Sequence, residues 1–318
     1  MTTGPIVGRI MLVAFEGWND AGEAASSAVR AVIEACGLEP FDEIEPDDFL
    51  DFTFARPQIR RLEDGSRALS WPATIAYAPT RSSVREAIAD DAGLPVSTGA
   101  EGELFALLGA EPSRNWLDFA EQAVDIARQC EVDAIVFVGA MLADVPHTRP
   151  TPTSITSESA SLRHRLGVAQ SEYEGPTGVM SVIAMAAEQL GIQTASVWAS
   201  VPHYVHATHV PKATIAIIDR LSELLDVTVP LGELPRLAGE WETGVDELAD
   251  RDDDMRAYIG HLEQQRDTAE SPEASGEALA KEFQRFLETQ TPEDEDEDGA
   301  DGASSGEGDE PTAPPPPV

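Results

Sequence analysis

The residues best placed to do chemistry fall in four short segments. Glu16, Trp18, Asn19 and Asp20 lie in Glu16-Gly17-Trp18-Asn19-Asp20-Ala21-Gly22; Asp144 and His147 follow the apolar run Asp133–Val138; Glu174 and Thr177 lie in Glu174-Gly175-Pro176-Thr177-Gly178; His203 and Tyr204 follow Thr194–Ala199. Imidazole changes charge near neutral pH, so His147 and His203 could act as an acid–base pair. The spacing Gly17 to Gly22 is that of a phosphate loop, but Glu23-Ala24 stands where Lys-Ser/Thr should follow. A carboxylate there repels phosphate, so the segment reads as a turn and helix cap. In that reading Asp20 is the N-cap and Glu23 closes a capping box. Glu174 to Gly178 is either an anion nest at a helix start or a tight entry turn.

Other chemistries find less support. His203, His206 and His209 recur every third residue, which on an extended chain alternates faces and cannot gather one ion. There is no Gly-x-Ser-x-Gly nucleophile elbow. Cys36 and Cys130 read as small buried hydrophobes. The sequence asks for no metal and no cofactor.

The elements that must position these residues alternate between strand and helix. Arg9–Phe15, Thr74–Ala78, Glu103–Leu108, Asp133–Val138 and Thr194–Ala199 read as strands, the third ending before Gly109 and the fourth before Gly139. Asp20–Ala35, Asn115–Cys130, Gly178–Leu190 and Pro211–Leu225 read as helices, and Ile59–Leu62 with Arg67–Trp71 as a hairpin. Alternation around continuous apolar strands predicts an α/β fold: a three-layer sandwich on a mostly parallel, mixed sheet. Ligands of such sheets bind beyond the carboxyl ends of the strands, which puts the four segments on one edge as a polar crevice. After Pro230 the strand pattern stops. Thr243–Gln265 and Glu277–Thr289 read as amphipathic helices with acidic outer faces. The expected division is 1–229 as the α/β domain, 230–290 as a helical appendage, and 291–318 as a disordered acidic and Pro-rich tail. Arg81–Glu101 reads as a mobile loop.

Charge narrows the function. The 318 residues carry 58 Asp and Glu against 21 Lys and Arg, a net of −37, and 42% of them are hydrophobic. That core can fold, but so acidic a surface does not grip nucleic acid or an anionic membrane. From Glu240 onward, 25 acidic residues stand against 5 basic. The two cysteines, no membrane-length apolar run and no basic leader predict a cytoplasmic protein.

Val13-Ala14-Phe15-Glu16-Gly17-Trp18-Asn19-Asp20-Ala21-Gly22 resembles the opening of the PAC2 family, named for proteasome assembly chaperone 2. Further motifs agree in order: Asp47-Asp48-Phe49, Arg56-Pro57, Trp71-Pro72, Gly109-Ala110-Glu111-Pro112, Leu142-Ala143-Asp144-Val145-Pro146-His147-Thr148-Arg149-Pro150, Tyr173–Gly178 and Val201-Pro202-His203-Tyr204-Val205. The resemblance spans about Ile10 to Gln265 and matches the actinobacterial type. It implies a phosphorylase/hydrolase-like core with a helical C-terminal appendage, and kinship with factors that help proteasome subunits assemble. It carries over no catalytic residues. Related archaeal factors can end in a hydrophobic–Tyr–any tripeptide, whereas this sequence ends Pro316-Pro317-Val318. The resulting expectation is a non-catalytic, self-associating assembly factor with protein partners, the proteasome being the candidate. The alternative is a small-molecule-binding enzyme with phosphorylase-like or hydrolase-like chemistry at the crevice.

Overall fold

From Ile10 to Phe15 every residue is apolar, so neither face of that segment can meet water. It forms β1 (Ile10–Glu16), buried on both sides from Ile10 to Phe15. The computed structural model describes residues 6–62, 64–79, 103–205 and 209–270. The expected mobile loop Arg81–Glu101, the helix over Glu277–Thr289 and the acidic tail lie outside the described residues.

Around β1 the described chain builds α1 (Ala24–Ala35), β2 (Leu38–Ile44), β3 (Gln58–Arg61), β4 (Arg67–Ser70), β5 (Thr74–Pro79), β6 (Leu104–Ala110) and α2 (Trp116–Gln129). There follow β7 (Ala134–Ala143), β8 (Thr153–Thr156), α3 (Ala160–Leu166), α4 (Val179–Gln189), β9 (Gln193–Pro202), α5 (Pro211–Leu225), α6 (Leu234–Ala249) and α7 (Asp253–Glu270). Seven strands form one sheet in the order β2-β5-β6-β1-β7-β9-β8. β6, β1, β7 and β9 are parallel; β5 and β8 run against them, and β2, antiparallel to β5, runs in their direction. Residues through Asp267 form one contact unit; Thr268–Glu270, the described part of a second, end α7.

Alternation along β1 divides the core between the two faces of the sheet. Ile10, Leu12 and Ala14 pack with Val29 of α1 and Ile217 and Leu221 of α5. Met11, Val13 and Phe15 pack with Phe119 and Val124 of α2 and Ile183 of α4. Phe119 meets Phe15 and Phe49 edge-on, with centroids 5.6 and 5.2 Å away. This is the three-layer α/β arrangement expected from the sequence.

Several boundaries differ from the sequence reading, each for a physical reason. β6 and β7 run through Gly109 and Gly139 instead of stopping before them. A Cβ on Gly139 would sit 2.5 Å from the Trp198 ring, its register partner on β9, and one on Gly109 would sit 2.2 Å from the Ala73 carbonyl oxygen. These glycines make room within the sheet and do not end strands. The β3–β4 hairpin forms, but as a separate two-stranded sheet. The antiparallel-paired additions to the main sheet include β2 and β8, edge strands whose polar residues and Pro40 hide the pattern. The single helix expected over Thr243–Gln265 is two: α6 ends at Ala249, and Asp252 Oδ1 accepts from the Asp254 and Met255 amides to start α7.

Gly109→Ala should cost about 3 kcal/mol, because backbone must move to admit the methyl group. Gly244→Ala, on an exposed helical position with open space around it, should instead stabilise by up to about 1 kcal/mol. Urea unfolding of both variants checks the contrast.

Candidate functional site

Because β6, β1, β7 and β9 are parallel, the segments after them do leave from one edge of the sheet. The side chains there collect into two groups and not into one crevice.

The first group surrounds Glu111, just past β6. Asn19 is buried, and its Nδ2 donates to Glu111 Oε1 at 2.9 Å. The Trp18 amide donates to Oε2 at 3.3 Å, and the Val179 amide, in the first turn of α4, donates to Oε1 at 3.4 Å. The carboxylate of Glu111 therefore occupies the anion position at the start of α4, where free amides and the helix dipole favour negative charge. Gly178 permits this approach, since a Cβ there would lie 2.4 Å from Asn19 Nδ2. Asn19 also fastens the group to β7, its carbonyl accepting from the Ala140 amide at 2.8 Å. Burial raises the Glu111 pKa, and the three hydrogen bonds oppose the rise.

Asp20 lies beside this group, buried beneath α1. It does hold the helix start, but not through the expected capping box. Its Oδ1 accepts from the Ala25 and Ser26 amides at 2.7 and 3.2 Å, one turn further on than an N-cap would reach. A short 3-10 turn, Ala21–Glu23, intervenes, and Glu23 takes a left-handed conformation and pairs with His209 at 3.0 Å. Asp20 Oδ2 is buried without a hydrogen bond, and burial raises the pKa of the group.

The second group centres on His147, 2% exposed. Tyr204 Oη lies 2.9 Å from Nδ1, and Asp246 Oδ1 on α6 lies 3.0 Å from Nε2. A carboxylate only accepts, so Nε2 carries a proton and the Tyr204 hydroxyl can donate to Nδ1. The same Tyr204 oxygen accepts from the His147 amide at 2.7 Å. Lys212 Nζ donates to the His147 carbonyl at 2.6 Å while pairing with Glu242 of α6. His203 and Tyr258 of α7 both reach Asp144 Oδ1, at 3.2 and 3.1 Å. Arg149 clamps α7 through two 2.8 Å bonds to Asp267 and one of 3.1 Å to Glu263.

Tyr-His-Asp has the order of a nucleophile, base and orienting carboxylate, but the phenol is tuned the wrong way. Burial pushes the Tyr204 pKa up to about 12, away from a phenolate at neutral pH. The group instead seats α6 and α7 on the strand ends. Burial pushes the Cys36 thiol up to about 11, away from the thiolate a nucleophile needs.

The other expected residues stay outside both groups. Glu16 pairs with Arg30, Thr177 bonds Ser181, and Glu174 is exposed with no partner among the described residues. The Trp18 side chain is 70% exposed, whereas Tyr204, in the second group, is half-buried. Sequence reasoning passed over Glu111, Lys212, Glu242, Asp246, Tyr258, Glu263 and Asp267 as site residues. The acids of α6 and α7 were expected to face outward; these four bond cations and His147 of the body, although Asp246 and Asp267 stay more than half exposed. The one available signal was the density of Asp144, His147, Thr148 and Arg149 within six residues. Among the described residues, no cluster of three His, Cys, Asp or Glu is placed to hold a metal, and no helix is long and apolar enough to cross a membrane.

Comparison with known proteins agrees with the motifs. The model of the PAC2 family matches residues 14–249. A PAC2 family protein from Streptomyces avermitilis is 37% identical, with a TM-score of 0.67, over 79% of this chain and 99% of that one. A proteasome-assembly chaperone homologue from Mycobacterium tuberculosis is 35% identical, with a TM-score of 0.64, over the same shares. An archaeal proteasome activator from Pyrococcus furiosus shares the fold at 13% identity and a TM-score of 0.58, over 76% of this chain and 94% of that one. The search of curated proteins found no match.

Burial gives Asp20 a pH signature. Its folded pKa lies above the unfolded value of about 4, so the folded chain binds the proton more tightly. The stability it contributes is complete below that pH and declines as pH rises through the folded pKa. Asp20→Asn should therefore compare more favourably with the parent at pH 7 than at pH 4. Asp20→Ala, which strips the acceptor from two buried amides, should cost about 1 kcal/mol. Urea unfolding at both pH values checks both, and an Asn effect independent of pH would contradict the burial account.

Proposed function

The chain belongs to the PAC2 family, and on that premise we propose that it works without catalysis, as an assembly or chaperone factor that binds protein, with the proteasome as the candidate complex. The observation that carries this reading is the use made of the strand-end edge. Glu111 fills the anion position of α4, and His147, Tyr204, Asp144 and Arg149 are spent on holding α6 and α7. The large side chains left exposed beside these groups are Trp18, Met141, Leu142 and Tyr173. Trp18 adjoins Asn19, Met141 and Leu142 follow Ala140, and Tyr173 donates to the Pro176 carbonyl at 2.8 Å. An apolar rim around a filled polar edge suits a protein surface better than a small solute. A cytoplasmic, self-associating protein is part of the same reading. The M. tuberculosis relative, described as a proteasome-assembly chaperone homologue, supports the choice of complex.

One observation favours the alternative, a small-molecule-binding enzyme at the same edge: Asp20 keeps a buried oxygen unbonded, and burial raises the pKa of both Asp20 and Glu111.

Affinity purification of the full chain from its native cell should recover proteasome subunits. Trp18→Asp with Leu142→Asp should abolish that recovery while leaving the melting temperature within about two degrees of the parent, since both side chains are exposed. Recovery unaffected by these changes, or a bound metabolite in place of protein, would overturn the proposal.

A further inference from the structure

The β3–β4 hairpin stands apart from the main sheet as a ribbon of its own, with no other strand on either edge among the described residues. Its register sets Ile59 opposite Leu69 and Arg61 opposite Arg67. Side chains alternate along a strand, so these four residues share one face. All four are exposed, Ile59 at 62% and Leu69 at 57%. The face thus joins an apolar pair to a pair of cations.

The cation pair is the informative feature. Like charges directly opposite each other destabilise a two-stranded ribbon. Nothing in the described structure offsets this, because neither Arg61 nor Arg67 makes an ion pair or side-chain hydrogen bond there. Arg60, on the opposite face, has none either. The turn between the strands carries Glu63 and Asp64 in sequence, and Asp64 accepts from the Ser66 amide at 2.8 Å. Elsewhere most arginines are committed, as Arg9, Arg30, Arg128, Arg149, Arg220, Arg236, Arg251 and Arg256 are to carboxylates. In a chain of net charge −37, a local excess of unpaired cations beside exposed aliphatic side chains calls for an anionic, partly apolar cover.

We propose that this ribbon docks an extended acidic segment of a partner protein, in which an apolar side chain and a carboxylate alternate at a spacing of two. The apolar residue would cover Ile59 and Leu69, and the carboxylate would lie between Arg61 and Arg67. The open ribbon edges offer backbone groups to such a segment. Two other occupants fit less well. A second copy paired ribbon to ribbon sets arginine against arginine. The chain's own acidic stretch, Thr291–Val318, contains no Ile, Leu, Met, Phe, Trp or Tyr to meet the apolar pair. The ribbon is inserted between Ile44 and Thr74, beside the end of β6, but shares no residue with the two groups described above, so this inference does not rest on the assembly reading.

The test is titration of the full chain with a fluorescent peptide that alternates leucine and glutamate with serine between them. Anisotropy should report binding, and hydrogen exchange should show protection over Gln58–Ser70. Arg61→Gln with Arg67→Gln should weaken binding about tenfold, while the melting temperature holds or rises as the repulsion is removed. Ile59→Ser with Leu69→Ser should weaken it similarly, and lysine in place of glutamate should abolish it. Failure to bind, binding indifferent to the arginines, or protection elsewhere would overturn the proposal. So would binding that emerges only on truncation after Gln290, which would make the tail the occupant, or a mass in light scattering that falls on Ile59→Ser with Leu69→Ser, which would make it a second copy.

Discussion

A buried imidazole must have both ring nitrogens satisfied, because an unpaired polar atom away from water costs as much as the hydrogen bond it lacks. His147 meets that demand with one partner from its own edge of the sheet, Tyr204, and one from a helix far along the chain, Asp246. The second bond ties down α6, whose Leu234 and Trp241 also pack on the core. Its neighbours repeat the arrangement: Lys212 reaches Glu242, Asp144 takes Tyr258, and Arg149 takes Glu263 and Asp267. The segment after β7 is thus a row of polar anchors, and the C-terminal helices are what it anchors.

The same economy holds at the other end of the edge. A parallel sheet leaves helix N-termini beside its strand ends, and such positions attract anions. Here Glu111 supplies the anion from within the chain, and Gly178 supplies the closeness. Both places that an α/β sheet commonly offers to a ligand are taken by side chains of the protein itself. The surfaces left to outside partners are exposed aromatic and aliphatic groups, which supports a role in binding protein.

The central layers were legible in the sequence because β1 and β7 are apolar on both faces and β9 on one, and the helices between them repeat with helical period. Glycine misled at Gly109 and Gly139, where it relieves crowding within a strand and does not break one. β2 and β8 were missed because an edge strand needs little apolar character. Three of the four segments follow parallel strands, so strand direction alone sets them at one edge, whereas Glu174–Gly178 follows a helix and meets that edge where Gly178 approaches Asn19. Their partners were not legible, because Asp246 and Asp267 are separated from His147 and Arg149 by about a hundred residues, and on an acidic helix nothing local marks which acids meet the body.

The account turns on His147 as an anchor for α6, not a catalytic group. A double-mutant cycle of His147→Phe and Asp246→Ala, read by urea unfolding together with hydrogen exchange across α6, tests this directly. The account predicts non-additive losses, with a coupling of about 1 kcal/mol, and α6 amides that lose protection in each single variant. Additive effects with α6 protection unchanged would contradict it.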